Sequence, residues 1–334
     1  MKRHILLLLA VAVAGLFTCC SGKTQDTASA DSMPVTAVSQ KAKVFFIDTI
    51  SPESLVKIYE ALGREATGRV AVKISTGEAG NHHHLQASLI GLLVRKVNGK
   101  IVECNTAYGG SRQETTDHRR TIEEHGFNAI GGVDIMDEEG EYRIPVPEGS
   151  QYLKYDIVGS HLQNYDFMVV LSHFKGHAMG GFGGALKNLS IGVASTNGKA
   201  YIHTQGRDTV LGADSWGNHI AGLDEFKDCM AEAAGAVANH FGDKILYINV
   251  VNNLSVDCDC DGSPDKPKMK DVGIMASLDP VALDQACVDM VMNSPDPGNR
   301  DLIERIVSRH GTRILYWAQH LGYGSRDYDL VEVK

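Results

Sequence analysis

The residues best equipped for chemistry fall between Ser172 and Thr204, in the run SHFKGHAMGGFGGALKNLSIGVASTNGKAYIHT, where three histidines and three lysines surround a GGFGG core. Glycine lacks a Cβ, so a ligand or a second backbone can approach closely, and successive amides can cradle an anion. Histidine supplies a proton-transfer group or a metal ligand near neutral pH. A lysine in a dry pocket becomes a nucleophile or an anion clamp. His173, His177, Gly183, Gly184, Lys187, Asn188 and His203 therefore stand out together as the makings of a metal or acid–base site.

Two other loops carry usable side chains. Cys104 to Arg112 reads CNTAYGGSR, and its Tyr108, Ser111 and Arg112 suit a carboxylate or phosphate; the alternative is a glycine turn with a solvated arginine. Asp257 to Gly262 reads DCDCDG and matches the opening of a calcium loop, but its twelfth position is Lys268, where a bidentate Glu is required. As soft ligands, Cys258 and Cys260 suit zinc, iron or copper with partners from elsewhere; otherwise they form a local disulfide or stay two free thiols. His82, His83 and His84 open an expected helix from Asn81 to Val97, where they point about 100° apart and cannot converge. Asp279 and Pro280 read as N-cap and first residue of a helix, and Asp284 either faces the site or favours the positive helix end.

These loops need a scaffold, and strand-like and helix-like patterns alternate along most of the chain. Val44–Asp48, Arg69–Ile74, Ile101–Cys104, Tyr165–Leu171 and Lys244–Val251 read as strands. Helices are expected after Ser51-Pro52 and over Thr115–His125, Phe226–Phe241, Asp301–Arg309 and Ile314–Leu321. The alternation predicts an α/β fold, a mostly parallel sheet with helices on both faces, as one large domain or two closely joined lobes. Sites in such sheets gather at the carboxyl ends of strands, which selects the loops after Cys104, Leu171 and Val251.

The N-terminus adds an address. Lys2 and Arg3 precede an apolar run from Ile5 to Phe17, which is short for a bilayer span and ends at Cys19-Cys20. Residues 1–20 read as a lipoprotein signal with lipid on Cys20 (or Cys19); the alternative is an uncleaved anchor or plain secretion. Residues 21–43 are Ser, Thr, Asp, Ala and Lys with few large apolar groups and read as a disordered tether, leaving 44–334 as the folded domain. The expected location is the cell envelope, with membrane contact only through the lipid. A net charge of −9 and no long basic patch argue against nucleic acid as a partner, and 43% hydrophobic residues suffice for a core. Cys104, Cys229 and Cys287 lie in apolar patterns that suit buried thiols, and no CxxCxxC run encodes a ferredoxin-type cluster.

His177 through Gly192, Cys258-Asp259-Cys260, and Asp271 through Asp289 with its DVGIMASLDPVALDQA resemble the bacterial domain-of-unknown-function 362 family. With the NTAYGGSR loop the resemblance runs over most of the chain after Lys43. The family has no settled activity. A more distant resemblance, to the nickel-pincer lactate racemase family, rests on spacing: His177, then Gly181-Phe182-Gly183-Gly184, Lys187 ten residues after the histidine, and His203 sixteen after the lysine. It implies a cofactor-bearing role for Lys187, proton transfer by His177 and metal binding by His203. Where those racemases place a second catalytic histidine, this chain has Tyr108, Ser111 and Arg112, with His118 nearby in an expected helix. Their cofactor is installed in the cytoplasm, whereas an exported chain travels unfolded, so a preloaded nickel cofactor is not expected.

The sequence thus predicts an exported metal-dependent enzyme or redox protein for a small anionic substrate, with a non-catalytic anion- or metal-binding lipoprotein as the alternative. His177 and Lys187 would be catalytic. Tyr108, Ser111, Arg112, Gly183, Gly184 and Asn188 would hold the substrate, and His203, Cys258 and Cys260 a transition metal (zinc, iron or nickel).

Overall fold

The computed structural model describes residues 41–334, which fall within one compact unit. The signal segment, Cys19 and Cys20, and the tether up to residue 40 lie outside the described residues. The tether was expected to reach residue 43, but the first strand already begins at Ala42, because Ala42 to Phe46 pair with β12 and Val44 to Ile47 with β11.

The strands are β1 (Ala42–Ile47), β2 (Val70–Lys73), β3 (Gly99–Glu103), β4 (Val133–Ile135), β5 (Glu141–Ile144), β6 (Asp156–Gly159), β7 (Phe167–His173), β8 (Lys175–His177), β9 (Gly181–Gly183), β10 (Ile245–Val251), β11 (Gly273–Ser277) and β12 (Tyr328–Glu332). The helices are α1 (Pro52–Ala61), α2 (Ala87–Lys96), α3 (Thr115–Glu124), α4 (Ala185–Ser190), α5 (Thr196–His203), α6 (Leu223–Phe241), α7 (Pro280–Met292), α8 (Arg300–Ser308) and α9 (Arg313–His320). Eight strands form one sheet in the order β12-β1-β11-β10-β7-β2-β3-β4. Every pairing in it is parallel except the two made by β11. Two hairpins, β5–β6 and β8–β9, stand outside it.

Side-chain alternation along the strands divides the core into two layers. Met168 and Val170 of β7 face a layer built with α4, α6, α7 and α9, through Leu186, Phe226, Leu283 and Leu315. Phe167, Val169 and Leu171 face the other, built with α1, α2 and α3 through Leu55, Leu93 and Ile122. A strand buried on both faces is largely apolar, as β7 is from Phe167 to Leu171 and β10 is apart from Tyr247 and Asn249. Among the described residues no helix is long and apolar enough to cross a membrane.

Two helix starts follow directly from local chemistry. Ser51 accepts from the amide of Ser54 with Pro52 in the first turn, and Asp279 accepts from Val281 and Ala282 with Pro280 beside it. The helix expected from Asn81 starts only at Ala87. The Asn81 side chain accepts from the His83 amide and donates to the Asp261 carbonyl, which holds residues 81–86 in a loop, so the three histidines are not helical.

The chain leaves β2 towards β3 and β4 on one side of the sheet, and leaves β7 towards β10 on the other. The neighbours β2 and β7 therefore form a topological switch point, and a crevice opens beyond their carboxyl ends.

Candidate active site

At this crevice the chain closes a cavity of about 90 Å³, several times the roughly 10–15 Å³ one water needs. Lys73 at the end of β2 and Ser75 beyond it, Glu103 at the end of β3 with Cys104, Thr106, Tyr108 and Arg112 beyond it, and His173 at the end of β7 form one half of its wall. The other half comes from Lys175, His177, Gly183, Gly184, Lys187, Asn188, Lys199 and His203, closed by Cys258, Asp259 and Cys260. The Gly/His segment is thus not one loop but the β8–β9 hairpin followed by α4 and α5.

Gly184 is required for the join. A Cβ there would lie 2.4 Å from Asp284 Oδ1, and that carboxylate accepts from the amides of Ala185 and Leu186 at 2.8 and 2.9 Å. Asp284 also accepts from Asn249 Nδ2 at 2.7 Å. It therefore caps α4 from a neighbouring helix and fixes the direction in which Lys187 leaves the backbone.

Five basic side chains, Lys73, Arg112, Lys175, Lys187 and Lys199, face the cavity against two carboxylates, Glu103 and Asp259. Most are already engaged. Lys73 Nζ donates to Asn188 Oδ1 at 3.0 Å, and Lys199 Nζ to the Ala194 carbonyl at 2.6 Å. Arg112 donates to Glu103 at 3.0 Å and to Glu78 at 3.3 Å. Lys175 pairs with Asp259, whose carboxylate also lies 3.2 Å from His173 Nδ1. Burial alone would raise the Asp259 carboxyl, but Lys175 and His173 hold it well below the usual carboxylate range. Lys187 Nζ has no carboxylate or carbonyl partner among the described residues. Burial, and next Arg112, push its pKa down to about 7.

The two histidines are held in opposite tautomers. His177 Nδ1 accepts from the amides of Met179 and Gly180 at 3.2 and 2.8 Å, so a neutral ring carries its proton on Nε2. His203 Nδ1 lies 2.7 Å from the Lys199 carbonyl, which only accepts, so its proton is on Nδ1 and the Nε2 lone pair is free. Burial, then Lys187 and Lys199, push the His203 pKa down to about 4. Burial, with Lys187 and His203 beside it, drives His177 well below the usual imidazole value. Both rings are neutral at pH 7, one a donor and the other an acceptor.

Not every expected site residue lies where it was expected. Tyr108, Arg112, His177, Gly183, Gly184, Lys187, Asn188, His203, Cys258 and Cys260 all line the cavity. Ser111 does not, because its hydroxyl is committed to Glu78, the Ala79 amide and Thr121. Asn188 has no amide group left for a substrate. Its Oδ1 receives Lys73, and its Nδ2 reaches the carbonyls of Lys73 and Leu171 and the Ser172 hydroxyl. His118, buried in α3, holds Glu103 and Asn105 instead of a ligand.

The expected metal set of His203 with Cys258 and Cys260 is not assembled. At the cavity the donor atoms within 4.8 Å of one another belong to His177, Cys258 and Cys260, and the two sulfurs are bonded to each other; a second such group, Asp134, Glu138 and His161, does not line it. A disulfide offers no thiolate, and Lys187, Lys227 and Arg305 make the surroundings of His177 cationic. The residues in this state do not fit a resident transition metal.

Lys73, Glu103, Lys175, Lys199 and Asp259 complete the wall, and sequence reasoning gave them no role. The usable signal was a charged residue ending an otherwise apolar strand, as in Val70–Ile74 and Ile101–Cys104.

Fold and cavity together define an α/β protein with a cation-lined pocket at the switch point of a mostly parallel sheet. The chain belongs to the family described as Domain of unknown function (DUF362), which it matches over residues 70–289, from β2 to α7. No curated protein matches it. Similar solved structures include the lactate racemase apoprotein from Thermoanaerobacterium thermosaccharolyticum, at 14% identity and a TM-score of 0.41 over 75% of this chain and 57% of that one. A structural-genomics protein from Thermotoga maritima aligns at 13% identity and a TM-score of 0.43, over 74% of this chain and 61% of its own. This chain spans less than two thirds of either, and likeness at that level says nothing of substrate.

Proposed function

We propose that this protein is an enzyme that binds a small anion, a carboxylate or phosphate, in the cationic cavity and exchanges a proton on it through His203, with His177 donating a hydrogen bond. The observation that carries the reading is the local charge: five basic side chains against two carboxylates around one cavity, in a chain whose net charge is −9. An acidic protein that keeps a surplus of positive charge at its switch point, with Lys187 uncommitted, has built a site for the opposite charge.

The uncommitted ammonium of Lys187 meets the anion, with the Gly183–Gly184 backbone admitting it closely. His177 offers a hydrogen bond from Nε2–H, and His203 offers a lone pair on its own Nε2. The neutral His203 can take a proton from the bound acid and return it, while the His177 N–H stabilises the charge that develops on the substrate. The protein is placed in the cell envelope, tethered by lipid on Cys20 or Cys19; that placement rests on the N-terminal sequence alone.

The test is a panel of small carboxylates and phosphates, read by thermal stabilisation and by proton exchange at the carbon next to the acid group in deuterated water. The expected result is stabilisation by a subset of the panel, exchange with that subset, loss of both in Lys187→Met, and loss of exchange alone in His203→Gln. Stabilisation without exchange by any bound acid would make the protein a carrier. No stabilisation by any anion would overturn the reading.

A further inference from the structure

The geometry points to a second activity: Cys258–Cys260 is a redox-active disulfide that exchanges with thiols at the mouth of the cavity. The inference does not rest on the anion reading, which is tested by ligand binding and not by thiol chemistry.

The position of the bond comes first. Both cysteines line the inner cavity and also an outer vestibule formed with Tyr108, Met179 and Trp216. Trp216 is exposed and Cys260 half-buried, while Cys258 is 8% exposed, so a reactant reaches the pair from this face. The other described cysteines, Cys104, Cys229 and Cys287, are buried free thiols.

A structural purpose does not account for the bond. It joins residues two apart, and a loop that short removes little entropy from the unfolded chain. The segment is already fixed without it. Lys175 and His173 hold Asp259, the Glu78 amide donates to the Asp259 carbonyl at 2.7 Å, and Asn81 donates to the Asp261 carbonyl at 2.8 Å. Arg305 donates to the Val256 carbonyl at 2.6 Å. Opening the disulfide therefore leaves the loop in place and its sulfurs facing the cavity.

The surroundings favour the reduced form. His177 Nε2, the nitrogen that carries the proton, lies 4.0 Å from Cys260 Sγ, and Lys187, Lys227 and Arg305 are the charges that act on this imidazole. A cationic setting with a nearby N–H donor stabilises a thiolate and makes it a better leaving group. In the exchange, a thiolate from a small or protein thiol bonds to Cys258 Sγ as the Cys258–Cys260 bond breaks. The electron pair of that bond goes to Cys260 as a thiolate beside His177. A second thiol then displaces Cys258, which leaves two protein thiols and one new disulfide between the reductant sulfurs. The protein gains two electrons and two protons, and the reductant loses them.

The experiment equilibrates the folded full chain in buffers of graded reduced and oxidised glutathione, alkylates it, and reads each cysteine by peptide mass spectrometry with circular dichroism as a control. Cys258 and Cys260 should become alkylated together as the buffer turns reducing, while Cys104, Cys229 and Cys287 stay unlabelled and the spectrum is unchanged. Cys260→Ser should trap a glutathione adduct on Cys258. In His177→Gln the half-point should move on the order of tenfold towards more reducing ratios. Labelling that appears only in denaturant, labelling together with the buried thiols, full labelling in the most oxidising buffer, or no adduct in Cys260→Ser would each overturn the inference. An unchanged half-point in His177→Gln would overturn the step that places the leaving thiolate beside His177.

Discussion

Burial moves Lys187 and Asp156 in opposite directions along the pH axis, and each shift has an observable consequence. The Lys187 pKa falls to about 7 in the folded protein. An anion prefers the protonated amine, so affinity should be full below pH 7 and decline by up to about tenfold per unit above it. Isothermal titration from pH 6 to 9 should show that decline in the native chain and a flat, weak profile in Lys187→Met. Asp156 is buried in β6, with Oδ1 accepting from the Ile157 amide and Oδ2 without a partner among the described residues. Burial raises its pKa from 3.8 to about 7. The folded state then keeps a proton that the unfolded chain loses near pH 4, so this group's contribution to stability falls as pH rises between those values. The cost is fully present above pH 7. Asp156→Asn should raise unfolding free energy by about 2–4 kcal/mol at pH 8 and leave it unchanged at pH 3.5, measured by urea titration. Positions lining the cavity were legible in the sequence where type and neighbourhood agree, as with His177, Lys187 and the Cys258–Cys260 pair, although the pair forms a disulfide and not the expected metal ligands. Asp259 was not, because the groups that give it a role, Lys175 and His173, lie 84 and 86 positions away.

At the scale of elements, α4 is the part on which the cavity turns. It spans six residues, too few to persist on helical hydrogen bonds alone, and it depends on the Asp284 carboxylate at its first amides. Gly184→Ala should push that carboxylate away and destabilise the protein by about 2–3 kcal/mol, with anion-induced stabilisation lost in parallel. Chemical denaturation and thermal shift on the same variant measure both effects. The helix starts at Pro52 and Pro280 could be read from the chain because a cap and a proline act within one turn. The start of α2 could not, because the competing partner of Asn81 is the Asp261 carbonyl, 180 positions distant. The direction of β11 was equally hidden. A strand buried on both faces shows the same apolar run whichever way it points, and only its register with β1 and β10 makes it antiparallel.

At the scale of the whole molecule, the sheet has one face closed by α1–α3 and the other by α4, α6, α7 and α9, and its edges are β4 and β12. The α/β class and the placement of the cavity beyond the strand ends followed from alternation, whereas the strand order did not, since many orders share one alternation. β12 covers the far side of β1, and the cavity lies across the sheet at β7 and β2. Truncation after Arg326 should therefore expose the β1 edge and cause self-association, visible by light scattering, while the monomeric fraction still binds anions. The cavity wall itself runs from Lys73 on β2 to Cys260 beyond β10, and no short stretch of chain can form it. Contacts so distant along the chain close slowly, after local helices and neighbouring strands have formed. Recovery of anion binding during refolding should thus lag behind helix formation, and the pocket acts as a built-in report that the segment beyond β10 has reached the ends of β2 and β7.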